Sequence, residues 1–245
     1  MKLLCLDIGN TSITICDYKN EKLGEITRVA SDENFINQLT KYNPGSFDFI
    51  ILCSVVPNLT KLLINYCKNH SINIYEINYK NSYLNLHVDN PSEVGNDRIC
   101  NAIAAKKLNF NPSIIIDFGT ATTYDVINND GDFIGGAIAP GIDVSADYLI
   151  NKTALLKDTI YKFPKKVIGK NTISNIQSGV MYGGLASVEG MIKLIDAEMG
   201  DVSNNFIITG GFGKLISEKI NIKHTYIESL TIEGMLQVFF KNQKY

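Results

Sequence analysis

One pattern occurs twice in this chain and restricts its fold more than any other feature. At Leu3-Leu4-Cys5-Leu6-Asp7-Ile8-Gly9-Asn10-Thr11, a run of apolar residues ends in an acid, a glycine and a hydroxyl. The same order returns at Ile114-Ile115-Ile116-Asp117-Phe118-Gly119-Thr120-Ala121-Thr122-Thr123. The apolar runs predict buried strands, and the glycine and hydroxyls predict a tight turn after each. Amides and hydroxyls in such a turn can hold a phosphate and its cation. Gly9 and Gly119 keep the separation of Asp7 and Asp117, so the chain predicts two related halves facing one nucleotide.

The intervening segments fit two α/β units. Ser12 to Asp17 alternates as a second strand, and Gly24 to Ala30 returns as a third after the turn at Lys19-Asn20-Glu21-Lys22. Asp32 caps a helix through about Tyr42, Phe49 to Val55 is a buried strand, and Pro57 opens a helix with apolar residues at helical spacing. A short strand covers Ile72 to Ile77, the polar stretch Asn78 to Glu93 reads mostly as loop, and a helix spans about Val94 to Leu108. Asn109-Phe110-Asn111-Pro112 reads as the domain junction, dividing the chain into 1–110 and 111–245. In the second half Thr120 to Ile127, the hairpin turn Asn128-Asn129-Asp130-Gly131 and Phe133 to Ala139 answer the first, with a slip of one position placed after the hairpin. A helix follows around Asp143 to Ile150, then a basic, irregular stretch from Asn151 to Lys170. A helical region over Thr172 to Met199 is expected to break at Gly179 and at Gly183-Gly184. Asn205 to Thr209 is a strand, and Gly210-Gly211-Phe212-Gly213 a turn. Leu230 to Phe240 is a closing amphipathic helix.

Composition narrows the function. The 245 residues are 45% hydrophobic and 20% charged, which supplies an ordinary globular core. A net charge of −2 gives no electrostatic argument for nucleic acid or an anionic membrane. No apolar run reaches the length needed to span a bilayer, and Asp7 interrupts the first one, so a cytoplasmic protein is expected. The 5 cysteines are odd in number and form no Cys-x-x-Cys pair, and the 3 histidines have no ligand spacing, so a metal or redox centre built on them is not expected.

Asp7-Ile8-Gly9-Asn10-Thr11 and Asp117-Phe118-Gly119-Thr120 resemble the two phosphate-binding turns of the actin-like ATPase and sugar-kinase superfamily. Two further stretches make the chain similar to type III pantothenate kinase in order and spacing over nearly its whole length. They are Asp89-Asn90-Pro91-Ser92-Glu93-Val94-Gly95-Asn96-Asp97-Arg98 and Gly135-Gly136-Ala137-Ile138-Ala139-Pro140-Gly141. The resemblance implies two related actin-like (ribonuclease H-like) domains, with mixed sheets flanked by helices and the nucleotide in the cleft between them. It implies ATP-dependent phosphorylation of pantothenate to 4′-phosphopantothenate, the first step of coenzyme A biosynthesis. The implied cofactors are ATP, Mg2+ and a monovalent cation, potassium or ammonium, and the implied partner is a second copy in a homodimer.

The resemblance also implies roles. Asp97 corresponds to the catalytic base, and Gly95, Asn96, Asp97, Arg98 and Thr172 to acceptor-binding positions. Asp7, Ile8, Gly9, Asn10, Thr11, Ser12, Ile13, Thr14 and Thr120 correspond to nucleotide-binding positions, Asp117 to the cation ligand, and Gly210 to Gly213 to adenosine-side glycines. The residues alone allow plainer readings. Asp97 is also an acid in the first turn of a helix, Thr172 a helix cap, Asp7 and Asp117 strand-end turn formers, and Arg98 a surface partner of Glu93. Val88 stands where many family members have an aromatic residue, and Asn96 where alanine is common. Val88 keeps a kinase for another small hydroxylated acceptor in view. A nucleotide-binding regulator without turnover is the reading from another class.

Overall fold

The computed structural model describes residues 1–152, 161–200 and 204–243. From the N-terminus the chain runs β1 (Leu3–Ile8), β2 (Ser12–Lys19), β3 (Lys22–Leu23), β4 (Thr27–Ala30), α1 (Phe35–Thr40), β5 (Phe49–Ser54), α2 (Pro57–Asn69), β6 (Ile74–Glu76) and α3 (Asn96–Lys107). It continues through β7 (Ser113–Phe118), β8 (Ala121–Ile127), β9 (Phe133–Pro140), α4 (Ile142–Lys152), α5 (Thr172–Met199), β10 (Asn205–Thr209), α6 (Gly213–Ser217), β11 (Thr225–Tyr226) and α7 (Leu230–Asn242). Of the stretch expected to be irregular, residues 153–160 lie outside the described residues, and 161–170 form neither helix nor strand.

Two compact units result. The first comprises Met1–Asn109, Gly131–Phe133 and Ser229–Tyr245, the second Phe110–Asp130 and Ile134–Glu228. A division into two continuous segments therefore misses α7, which belongs to the first unit. The reason is packing: Leu230, Ile232, Met235, Leu236, Val238 and Phe239 are buried, and Ile232, Met235, Leu236, Val238 and Phe239 share a cluster with β1, β5 and α3. Burying each such side chain is worth about 1.5–3 kcal/mol, enough to hold the helix far from its neighbours in sequence.

The sheet of the first unit has the order β3-β2-β1-β5-β6, with β4 also on β2. β1 is antiparallel to β2 and parallel to β5, and β5 is parallel to β6. Side chains alternate along β1. Leu4, Leu6 and Ile8 meet Phe35 and Leu39 of α1 and Leu59 and Leu63 of α2. Leu3 and Cys5 join Cys100 of α3 and the apolar face of α7. Burial on both faces explains why β1 reads as an unbroken apolar run. Of the third strand expected over Gly24 to Ala30 only β4 forms, while β3 pairs with β2 at the turn before it, and the two pair with different parts of β2.

The second unit repeats this scheme. Its sheet has the order β11-β10-β7-β8-β9, with β7 antiparallel to β8 and parallel to β10, and β10 parallel to β11. Ile114, Ile116 and Phe118 pack with Ile142 of α4, Met181, Val188 and Ile192 of α5, and Ile216 of α6. The helix expected to break at its glycines does not: α5 is one helix of 28 residues. An interior glycine costs about 1 kcal/mol relative to alanine, which tertiary packing outweighs. Asn171 and Ser174 form a reciprocal capping box at its start, and Ile142 approaches to 3.5 Å of where a Cβ on Gly184 would lie. Among the described residues no helix is long and apolar enough to cross a membrane.

Candidate active site

In the first unit, β1 delivers Asp7 to the C-terminal end of the sheet, opposite Thr14 on β2 and Cys53 on β5. The following turn is closed by the Gly9 N–H, which donates to the Ser12 carbonyl at 3.0 Å. Ser31 fixes it further: its N–H donates to the Thr11 carbonyl at 3.1 Å and its hydroxyl to the Gly9 carbonyl at 2.6 Å. Asn10, Thr11 and Ser12 are exposed on this fixed turn, and Thr14 is half-buried. Ile8 and Ile13 have fully buried side chains, so only their backbone can meet a ligand.

Helix α3 brings a second acid to the same end of the sheet. Asn96 Nδ2 donates to the Ser54 carbonyl at 3.0 Å, pinning the helix N-terminus to the last residue of β5. Gly95 leaves the room this needs, because a Cβ there would stand 2.5 Å from Asp97 Oδ1 and 3.5 Å from Val55 Cγ1. The Arg98 N–H donates to Asp97 Oδ1 at 2.8 Å. Burial pushes the Asp97 carboxyl above its ordinary range, partly offset by that N–H and by the Arg98 charge. Cys53, a free thiol in register with Asp7, is held well above its usual thiol range first by its hydrogen bond with the Cys100 thiol, then by burial. The charges of Asp7 and Asp97 push it further in the same direction. Both carboxylates are thus within electrostatic reach of one buried thiol.

In the second unit Asp117 occupies the position matching Asp7, paired with Thr123 on β8 and Thr209 on β10. Its turn is one residue tighter, with the Gly119 N–H donating to the Ala121 carbonyl at 3.1 Å. The one-position slip between the halves therefore includes this first turn and is not confined to the far side of the hairpin. Gly210, at the end of β10 with φ of +89°, closes against Asp117: a Cβ there would meet Asp117 Oδ1, and would stand 2.5 Å from Phe118 N. Gly141 fills a similar gap, where a Cβ would lie 2.5 Å from the Thr120 carbonyl, 2.7 Å from that of Gly119 and 2.8 Å from Asp143 Oδ1. Half-buried Thr120 thus sits in a turn rich in hard oxygen donors. Thr172 is exposed at the first position of α5, after the Asn171 cap. The family resemblance implies an adenosine-side contact at Gly210; its position at the end of β10 also sets it against the Asp117 carboxylate.

The two sheets, each with an acid and a glycine turn at the end of its leading strand, define the class: an actin-like α/β fold of the kind used by ATPases and small-molecule kinases. Solved structures bear this out at the level of fold. A conserved putative Baf family transcriptional activator from Campylobacter jejuni aligns with TM-score 0.64 and 20% identity over 99% of this chain and 100% of its own. A putative 2-dehydro-3-deoxygalactonokinase from Sinorhizobium meliloti aligns with TM-score 0.59 and 10% identity over 98% and 96%. A curated type III pantothenate kinase of Moorella thermoacetica is 37% identical over 98% of this chain and 99% of its own length. One from Dehalococcoides mccartyi is 37% identical over 99% and 97%. The family model for type III pantothenate kinase matches residues 3–194, and the chain belongs to that family.

Proposed function

We propose that this chain performs the reaction for which its family is named, ATP-dependent phosphorylation of pantothenate to 4′-phosphopantothenate, with Asp97 as the base. One observation carries the assignment of the base: Asn96 ties the start of α3 to Ser54, in register with Ile8, so Asp97 stands at the end of the first sheet where β1 presents Asp7. Asp97 takes the proton of the acceptor's primary hydroxyl as that oxygen bonds to the γ-phosphorus and ADP departs. Phosphoryl transfer is loose, so the carboxylate mainly orients the nucleophile and removes its proton late. Its raised carboxyl makes it a stronger base than an ordinary aspartate. Gly95, Asn96, Arg98 and Thr172 bind the acceptor, with the Arg98 guanidinium facing its carboxylate.

Asp7 and the turn through Ile8, Gly9, Asn10, Thr11, Ser12, Ile13 and Thr14 take the nucleotide phosphates, and Thr120 makes a further nucleotide contact. A carboxylate beside a phosphate turn suits Mg2+, which keeps several waters and binds through one or two protein carboxylates. Asp117, with the carbonyls of Gly119 and Thr120 gathered around Gly141, is a hard-oxygen donor set that suits a monovalent cation, potassium or ammonium. When bound, these cations offset the charge on the phosphate oxygens. The same reading makes the enzyme a cytoplasmic homodimer. For the dimer, the support is that Ile134 and Ile138 on β9 and Ile173 and Leu194 on α5 are exposed, apolar side chains that a second copy can cover.

The test is ADP release from Mg-ATP, with and without pantothenate, in potassium and in sodium, alongside light scattering for the dimer. Turnover that requires pantothenate and drops in sodium is expected. Release indifferent to pantothenate, or nucleotide binding without turnover, would overturn the acceptor assignment. Indifference to the cation would remove Asp117 from its role.

A further inference from the structure

Asp132 and Phe133, at the start of β9, meet the acceptor stretch inside the first unit. The Asp132 carboxylate, 11% exposed, bonds His87 Nε2 at 3.1 Å and accepts from Asn85 Nδ2 at 3.0 Å and Lys106 Nζ at 3.4 Å. The His87 bond, followed by those of Asn85 and Lys106, holds the carboxyl below its ordinary range against the opposing effect of burial. The His87 N–H donates to the Phe133 carbonyl at 2.9 Å and the Phe133 N–H to the Asn85 carbonyl at 3.0 Å, around a parallel bridge between Leu86 and Phe133. The Phe133 ring is buried, and the Arg98 guanidinium carbon lies 5.3 Å from its centroid. This dipeptide therefore holds the chain entering the acceptor stretch, the far end of α3 and the arginine at the near end.

We propose that Asp132 and Phe133 are positioning residues that set the enzyme's preference for a carboxylate-bearing acceptor by fixing Arg98. The inference rests on the reading of Arg98 as the carboxylate's partner. Arginine has many rotamers, and a guanidinium over an aromatic face is restricted to a plane that suits bidentate pairing with a carboxylate. Phe133 supplies that face. Asp132 anchors Asn85 to His87 on one side and α3 through Lys106 on the other, so the ring and the arginine move as one body. The positive charge of Lys106 offsets the Asp132 charge, which reduces its repulsion of an incoming anion.

The experiment compares KM for pantothenate with KM for a neutral amide analogue, in wild type, Arg98→Gln, Phe133→Leu and Asp132→Asn, with KM for ATP and Tm measured in parallel. Phe133→Leu is expected to raise the pantothenate KM about fivefold to tenfold. The KM values for the amide and for ATP stay within about twofold, since neither uses the oriented guanidinium. Asp132→Asn shifts the same ratio in the same direction, and Arg98→Gln abolishes the preference. If Arg98→Gln shifts both acceptors equally, the assignment of Arg98 fails and takes the proposal with it. If Arg98→Gln discriminates while the other two variants shift both acceptors alike, or neither, Arg98 stands and the proposal is overturned. Should Phe133→Leu not fold, the near-isosteric Asp132→Asn decides alone.

Discussion

Gly234→Ala sets helix propensity against a close helix crossing. In the interior of α7 an alanine gains about 1 kcal/mol of propensity over glycine. Its Cβ, however, would stand 2.5 Å from the carbonyl carbon and 2.8 Å from the Cα of Cys100 on α3, and closer still to the carbonyl oxygen. These are backbone atoms within a helix, so no side-chain rotation relieves the clash. Ordinary contact begins at 3.4 Å. The helices must therefore part by more than about 1 Å, weakening dispersion along the seam that buries Ile232, Met235 and Phe239 against α3 and the sheet. Overpacking costs about 1–3 kcal/mol, and a backbone obstacle argues for the upper end, leaving a net loss of about 2 kcal/mol. For a chain of this size that lowers Tm by about 4–8 °C. The same movement displaces Asp97, one turn before Cys100 on α3, and for the base proposed above a shift of about 1 Å is expected to lower turnover about tenfold or more. Thermal unfolding and kcat, measured on the same preparation, test both consequences. Gly190→Ala in α5 is the control, because nothing lies within 4 Å of a Cβ there, and it should gain up to about 1 kcal/mol. A Gly234→Ala variant at least as stable as wild type would refute the close crossing. Lowered Tm with unchanged turnover would separate this packing from the position of the base.

Asp97→Asn is expected to lower turnover at least about a hundredfold while nucleotide binding persists. It should also raise Tm at neutral pH. Burial raises the folded-state carboxyl of Asp97, so it favours folding only when protonated, and that contribution is lost as pH rises through the raised value. The Tm advantage of the variant should therefore shrink as pH falls towards the ordinary carboxylate value of 3.8, and an advantage independent of pH would contradict this account. Gly210→Ala forces a side chain onto φ of +89° and against Phe118 N at 2.5 Å, and is expected to cost about 3 kcal/mol or more by calorimetry. Gly211→Ala, whose Cβ would meet nothing nearer than Phe118 O at 4.0 Å, should be nearly neutral, and equal losses at both positions would remove the special role of Gly210. Asn171→Ala removes the α5 cap and should cost about 1 kcal/mol, read as a drop in Tm of about 2–4 °C. An unchanged Tm would mean that the capping box contributes nothing.

Local chemistry alone determined the repeated architecture. β1 and β7 were legible because strands buried on both faces must be apolar throughout, and Asp7 and Asp117 because an acid followed by glycine cannot continue such a strand. For Asp97 the residues alone allow only an acid in the first turn of a helix; its proposed role as the base comes from the family resemblance of the stretch Asp89 to Arg98. Tertiary structure decided whatever depends on partners distant in the chain. That α7 belongs to the first unit follows from its packing on α3, which no local pattern encodes. That α5 runs unbroken through Gly179, Gly183 and Gly184 follows from packing that outweighs propensity. Asp132 and Phe133 carry no motif; the role proposed for them rests on Asn85, His87, Arg98 and Lys106 being brought to them from elsewhere in the chain. Propensity and periodicity are properties of neighbours in sequence, whereas a close crossing or a shared carboxylate exists only once distant segments have met.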